Sequence, residues 1–266
     1  FEPKELVKFY PRGEKELLGP FHQFMTGDTF EWFDDRGIPL KIESDNRVFP
    51  EANTSQAIID CFQNAVDNLG IKVLKNHGVN SVYQQENKWV INTKEQQFEA
   101  DSLVIAAGSS KKVWDLCKTL DHAIIEPVPS LFTFNIKDKR IEGLMGVAKD
   151  VTIKVLGTKQ KSEGPLLITH WGMSAPSVLK LSAFGARTLA KKNYEANLQV
   201  NWVNVQSYEL VMQELKEIQK KTGQKQLQNY RAYTLPERLW CFLLEKIELP
   251  LSKKWADLGK GRVRVS

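Results

Sequence analysis

Few residues in this chain invite chemistry, and the most suggestive are small. Ala106, Ala107 and Gly108 close an apolar run that begins at Leu103. Side chains of this size leave the main chain open to the approach of a ligand or another backbone. Arg47 opens the stretch Arg47-Val48-Phe49-Pro50 and supplies a permanent cation suited to a phosphate. A surface ion pair is the plain alternative. Phe49 and Pro50 either wall a ligand or fix a turn. The four histidines, His22, His77, His122 and His170, have no ligand spacing with one another or with Cys61, Cys117 and Cys241, so no metal site is expected. No Ser-His-Asp constellation can be argued from spacing. Three cysteines without Cys-x-x-Cys read as free thiols in a reducing compartment, hence a cytoplasmic protein.

The elements that must position these residues follow from hydrophobic pattern. Leu103–Ala107 is apolar on both faces, which predicts a central strand of a parallel sheet. Ligands of open α/β sheets bind beyond the carboxyl ends of such strands, where Ala106-Ala107-Gly108 stand. Tight packing of the strand end is the alternative. Upstream, Phe30–Phe33 reads as a helix with Asp28 or Thr29 as cap, and Ile38–Glu43 as a strand. Asp45-Asn46 reads as a turn. Asn53 and Gln56 have capping-box spacing ahead of a helix with Ile58, Ile59, Phe62, Ala65, Val66 and Leu69 on its apolar stripe. Ile71–Leu74 predicts a short strand. Ser81–Gln84 and Trp89–Thr93 predict a hairpin about Glu86-Asn87, extended by Gln97–Glu99 into a meander.

The pattern changes at Pro127-Val128-Pro129. Leu131–Ile136, Val147–Leu156 and Leu166–Thr169 are β-type runs that predict a small antiparallel barrel or sandwich. A helix starts near Pro176, a strand follows at Gln199–Val203, and the remainder is helical. Thr234 and Glu237 have the spacing of a second capping box. Trp171 and Trp240 read as core anchors. The expected domains are 1–125, 126–205 and 206–266. Glycine-rich phosphate loops are missing: Gly143-x-x-Gly146 lacks a third glycine, Gly259-x-Gly261 follows no strand, and no Walker lysine motif occurs.

The chain has 266 residues, room for two cores, and a net charge of +5. No apolar run approaches the roughly 20 residues of a membrane helix. The lysines are scattered and no nucleic-acid motif accompanies them, so neither a nucleic-acid nor a membrane partner is expected.

Several segments, in order, carry a family resemblance: Arg47-Val-Phe-Pro50, Ala100-Asp-Ser-Leu-Val-Ile-Ala-Ala-Gly108, Pro127-Val-Pro-Ser-Leu131, Gly164-Pro-Leu-Leu-Ile-Thr-His-Trp-Gly172 and Leu235-Pro-Glu-Arg-Leu-Trp240. The chain resembles the bacterial flavoproteins similar to aminoacetone oxidase, FAD- or NAD(P)-dependent oxidoreductases. The resemblance implies α/β plus β-barrel architecture: a partial FAD-binding, Rossmann-like domain with an inserted antiparallel β-barrel and a helical subdomain. It also implies an internal piece, lacking the family's N-terminal pyrophosphate loop and its C-terminal flavin segment, inactive alone and without FAD. Ala106, Ala107 and Gly108 would face the FAD, Val79 would touch the adenine through its backbone, and Arg47 would meet a phosphate or the pyrimidine edge. His170 would be an acid/base beside the flavin, or a structural histidine at a strand end. The substrate would be a small molecule, with NAD(P)H or oxygen as redox partner. Where the family has a glycine, this chain has Ala175. The competing reading is a non-catalytic scaffold or interaction module. The oxidoreductase reading predicts Leu103–Gly108 covered on both faces.

Overall fold

A computed structural model describes residues 2–44, 46–205 and 207–259. The chain divides into two compact units, Phe1–Glu126 and Pro127–Ser266.

The first unit opens with the short helix α1 (Pro3–Leu6), then α2 (Glu14–Gln23) and α3 (Thr26–Asp34). Asp28 lies inside α3, where its carboxylate accepts the Met25 N–H at 2.6 Å and satisfies an N-terminal donor. The helix therefore starts earlier than its apolar residues suggest. Strands β1 (Leu40–Ile42) and β2 (Val48–Pro50) form an antiparallel ribbon. Asp45 of the expected turn between them lies outside the described residues. Helix α4 (Ser55–Asn68) is capped by Thr54, whose hydroxyl accepts the Gln56 N–H at 3.2 Å, one residue after the expected Asn53. Asn53 instead turns the chain at φ +51°. The meander forms as expected: β3 (Ser81–Gln85), β4 (Lys88–Asn92) and β5 (Gln97–Ala100) pair antiparallel in that order. Glu86 and Asn87 take φ +47° and +64°, the left-handed pair a two-residue hairpin requires. Helix α5 (Lys111–Lys118) follows.

The structure overturns the expected parallel sheet. Leu103–Ala107 joins no ladder, Val104 is 85% exposed and Ile105 42%. Ile71–Leu74 is likewise unpaired, with Val73 55% exposed. A parallel strand is stable only between neighbours, with both faces covered. Among the described residues the sole three-stranded sheet of this unit satisfies itself and offers these segments no partner. The Rossmann-like expectation is not confirmed by these elements.

The second unit holds an open antiparallel sheet of five strands: β6 (Phe134–Asn135), β7 (Ala148–Val155), β8 (Lys161–Ile168), β9 (Gly172–Ser174) and β10 (Leu198–Asn201). Their order is β10-β7-β8-β9-β6, so the expected barrel is open along two edges. Alternation sets its faces: Val151, Ile153 and Val155 are fully buried, while Lys154 points outward. Helix α6 (Pro176–Lys191) packs on β7, β8 and β9 through Val178, Leu181, Ala186 and Leu189. Two buried serines fasten it. Ser177 Oγ donates to the Pro165 carbonyl at 2.7 Å, and Ser182 Oγ accepts the Phe132 N–H at 2.8 Å.

Helices α7 (Tyr208–Thr222) and α8 (Glu237–Lys246) complete the unit. Trp240 and Trp255 stack with ring centres 5.9 Å apart, and their indole N–H groups donate to the carbonyls of Leu227 at 2.7 Å and Tyr230 at 3.2 Å. Both tryptophans are thus buried without an unsatisfied donor. The second capping box does not form: Thr234 stands at φ +50°, its hydroxyl donates to the Tyr233 carbonyl, and Pro236 takes the cap position. Trp171, expected in the core, is 44% exposed at the β8–β9 turn.

Candidate functional site

Gly108 turns the chain at φ +60° between the extended Leu103–Ala107 and α5. A Cβ built on it would meet nothing within 4 Å, so the glycine serves the turn rather than a close packing contact. Ala106, Ala107 and Gly108 are exposed. The next helix begins with two lysines. Lys112 Nζ donates to Asn80 Oδ1 at 3.1 Å, and the same ammonium lies 3.9 Å from the position of a Cβ on Gly78. The side chain of Lys112 therefore ties the Gly78-Val79-Asn80 segment to the start of α5. Val79, 36% exposed, lies in the segment tied by this bond. Lys112 and Asn80 were not among the sequence-derived candidates. The available signal was the Lys111-Lys112 pair immediately after Gly108-Ser109-Ser110, a cation placed where small residues expose the backbone.

Lys111 points elsewhere. It hydrogen-bonds Asp115 at 2.8 Å, and Asp115 also receives Lys118 at 3.2 Å. These two ammonium groups hold the Asp115 carboxyl below its usual range. Arg47, Phe49 and Pro50 lie on the β1–β2 ribbon. The Arg47 guanidinium sits 5.4 Å from the centre of the Phe49 ring, a cation–π distance, and Phe49 is 38% exposed. His170 belongs to the second unit. It is exposed at the β8–β9 turn with its ring edge-on to Trp171 at 4.3 Å. The structural alternative, a histidine held by a hydrogen bond at a strand end, finds no such bond here among the described residues.

Two clefts lie apart from these residues. One of about 840 Å³ separates the end of α3 from α4, lined by Asp35, Arg36, Asp60, Cys61 and Asn64 among others. The second, about 560 Å³, lies between Gly146–Ala148 and the start of α8, with Arg238 and Cys241 in its wall. Burial, then the carboxylates of Glu237 and Glu245, push the Cys241 thiol up from its ordinary range. Beside α7, burial and Glu214 raise the Tyr233 hydroxyl to about 12. Neither cleft contains a residue proposed from the sequence as catalytic or cofactor-binding. Among the described residues no helix is long and apolar enough to cross a membrane.

The second unit's sheet and helices coincide with a recognised family domain. Residues 128–264 match the family described as "HI0933-like protein barrel and H2TH domain". A 3-dehydro-bile acid delta(4,6)-reductase from Clostridium scindens is 24% identical over 184 residues, 65% of this chain and 44% of the relative. A ribosomal RNA dihydrouridine synthase from Haemophilus influenzae is 24% identical over 244 residues, 86% of this chain and 58% of the relative. The chain thus spans about half the length of the curated relatives it matches. The domain match covers more than half of the chain, which therefore belongs to the HI0933-like family, a family related to flavin-dependent oxidoreductases.

Proposed function

We propose that this chain is part of an FAD-dependent oxidoreductase, in which the first unit contributes to the flavin domain and the HI0933-like unit carries the substrate-facing insert. The family match is the observation that carries the reading. Ile71–Leu74 and Leu103–Ala107 have strand composition and no strand partners among the described residues, so the cover that this reading expects over Leu103–Gly108 is not met within this chain and the first unit lends the reading no support. The argument from a strand already covered in this chain no longer contributes.

The residues present fit a dinucleotide in kind. Ala106, Ala107 and Gly108 are exposed, and Lys112 bonds Asn80, next to Val79. Val79 and Ala106–Gly108 would hold the nucleotide portion of FAD, Lys112 would add positive charge near its phosphates, and Arg47 with Phe49 and Pro50 would form a second contact group. FAD, when bound, supplies the hydride or electron chemistry. His170 is proposed as an acid/base only in the whole protein, where its exposure leaves it free to meet substrate. NAD(P)H or oxygen would be the redox partner, and a reducing, cytoplasmic setting suits three free thiols. Judged by the relatives' names, the substrate is either a small molecule such as a steroid or a base within RNA.

The test is purification, without denaturant, of the complete protein that contains this chain. Bound flavin is expected from its visible absorbance, and Ala107→Val is expected to lower flavin occupancy while leaving the circular dichroism unchanged. A complete protein that carries no flavin and takes up none when FAD is added overturns the reading. The 266-residue chain alone should bind FAD only weakly, because the main phosphate-binding turn would come from elsewhere.

A further inference from the structure

The cleft of about 560 Å³ between Gly146–Ala148 and the start of α8 has walls that the flavin reading does not use. One wall is a β-bulge. Val147 N–H donates to the Leu144 carbonyl at 2.9 Å, closing a turn whose third residue, Gly146, stands at φ +83°. Gly146 N–H donates to the Ile168 carbonyl at 2.8 Å, and Ile168 N–H donates to the Val147 carbonyl at 2.9 Å. Two residues thus face one, with glycine at the left-handed first position of the bulge. A bulge of this kind bends its strand and ends regular pairing. Here it leaves open space between the sheet end and α8.

Arg238 forms the other wall, its guanidinium against the bulge. Its Nη2 lies 3.7 Å from the position of a Cβ on Gly146, and its Nη1 donates to the Gly143 carbonyl at 3.4 Å, a long and weak bond. Among the described residues Arg238 makes no ion pair, and the neighbouring Glu237 carboxylate stands 3.9 Å from Arg231 instead. Arg238 is exposed, so most of its planar fork of donors is available to an oxyanion. Residues 127–266 carry 23 Lys and Arg against 12 Asp and Glu, a net +11 that draws anions to this unit. His170 and Trp171 line no part of the cleft, but their turn starts one residue after Ile168, the partner of the bulge. That turn is held by three bonds: Thr169 N–H to the Gly172 carbonyl at 2.8 Å, Gly172 N–H to Thr169 Oγ1 at 3.1 Å, and Ile136 N–H to the Trp171 carbonyl at 2.9 Å. It therefore presents an indole that is 44% exposed from a fixed backbone at the same end of the sheet.

We infer that this cleft binds a small organic oxyanion, a carboxylate or a phosphate ester, whose charged group pairs with Arg238 and whose ring rests on Trp171. The binding itself needs no flavin; only the ligand's place as a substrate rests on the oxidoreductase proposed above. The segment Leu235-Pro-Glu-Arg-Leu-Trp240 thereby gains two tasks. Leu235, Leu239 and Trp240 are buried and anchor the start of α8 in the core, while Arg238 stays at the surface and faces the ligand.

The experiment is calorimetric titration of the 266-residue chain, no flavin present, with benzoate, phenyl phosphate and uncharged benzamide. At least one anion should bind and weaken with added salt, benzamide should not bind, and the tighter anion identifies the charged group. Arg238→Gln should weaken binding by at least about tenfold, and Arg238→Lys by less, because lysine keeps the charge without the fork. Trp171→Ala should weaken the ring-bearing anions severalfold and leave inorganic phosphate unchanged. Lys180→Gln, on the exposed face of α6, should change nothing. In the unaltered chain, phenyl phosphate should protect Arg238 from phenylglyoxal, read by mass spectrometry of its peptides, which frees the test from the folding of any variant. The site is overturned if neither anion binds, if benzamide binds equally well, if Lys180→Gln weakens binding as much as Arg238→Gln, if Arg238→Gln binds as tightly as wild type with circular dichroism unchanged, or if phenyl phosphate gives Arg238 no protection. Undiminished binding by Trp171→Ala overturns the ring contact. A complete protein without flavin would remove the enzymatic reading and leave this site standing; absence of anion binding would remove the site and leave the flavin reading standing.

Discussion

Residues 127–266 contain twenty of the buried core hydrophobic residues described, and residues 1–126 contain four: Val7, Cys61, Val82 and Val90. The units are of similar length, so size does not explain the difference. In the second unit the sheet has a helix to cover it, and both core tryptophans have carbonyl partners for their N–H groups. In the first unit the amphipathic elements form but their apolar faces stay open: Phe62 of α4 is 50% exposed and Val104 85%. Secondary structure of the right kind is thus not enough to make a core. Each apolar face also needs an opposing surface, and the first unit has too few among its described residues.

The contrast can be broken most forcefully at Gly172. A Cβ there would overlap the Phe134 carbonyl oxygen and crowd Ile136 N at 2.8 Å, where β9 pairs with β6. Gly172→Ala should cost about 4 kcal/mol or abolish folding of the second unit, read from urea denaturation followed by tryptophan fluorescence. A midpoint within error of wild type would mean that the β6–β9 approach is looser than described.

Matched truncations sharpen the comparison. Leu239 is fully buried, so Leu239→Ala should cost about 3 kcal/mol, whereas Val104→Ala in this chain should stay within about 0.5 kcal/mol. Equal costs at both sites would contradict the unequal cores. Hydrogen exchange checks the same point without mutation: amides of 71–74 and 103–107 should exchange early, and those of 151–155 should be protected longest.

A smaller effect is expected at Ala175, whose φ of +86° belongs to the region glycine favours. Ala175→Gly should raise stability by about 1 kcal/mol, because relief of backbone strain outweighs the added freedom of the unfolded chain. A loss of stability would show that the alanine is not strained.

The smallest concerns pH. Tyr233 is raised in the folded state to about 12 by burial and by Glu214, so its contribution is fully present below pH 10, the ordinary tyrosine value, and fades as pH rises from there through 12. Thermal melts of wild type should fall more steeply between pH 10 and 12 than those of Tyr233→Phe. Parallel curves would show that Tyr233 does not titrate differently on unfolding.

The sequence by itself determined what short-range physics can enforce. The Glu86-Asn87 turn, the meander around it, the alternation of β7 and the stripe of α6 are written in residue types and spacings, and each forms where the pattern places it. The resemblance to flavoproteins was legible too, and the family match now supports it at the level of the family. Tertiary structure alone decided the rest. Whether Leu103–Ala107 is paired depends on neighbouring strands that its own residues cannot reveal. The Lys112–Asn80 bond joins positions 32 residues apart, and the β7–β8 tip meets α6 at Gly185 through Gln160. Periodicity fixes which face of an element is apolar; long-range packing fixes what, if anything, covers that face.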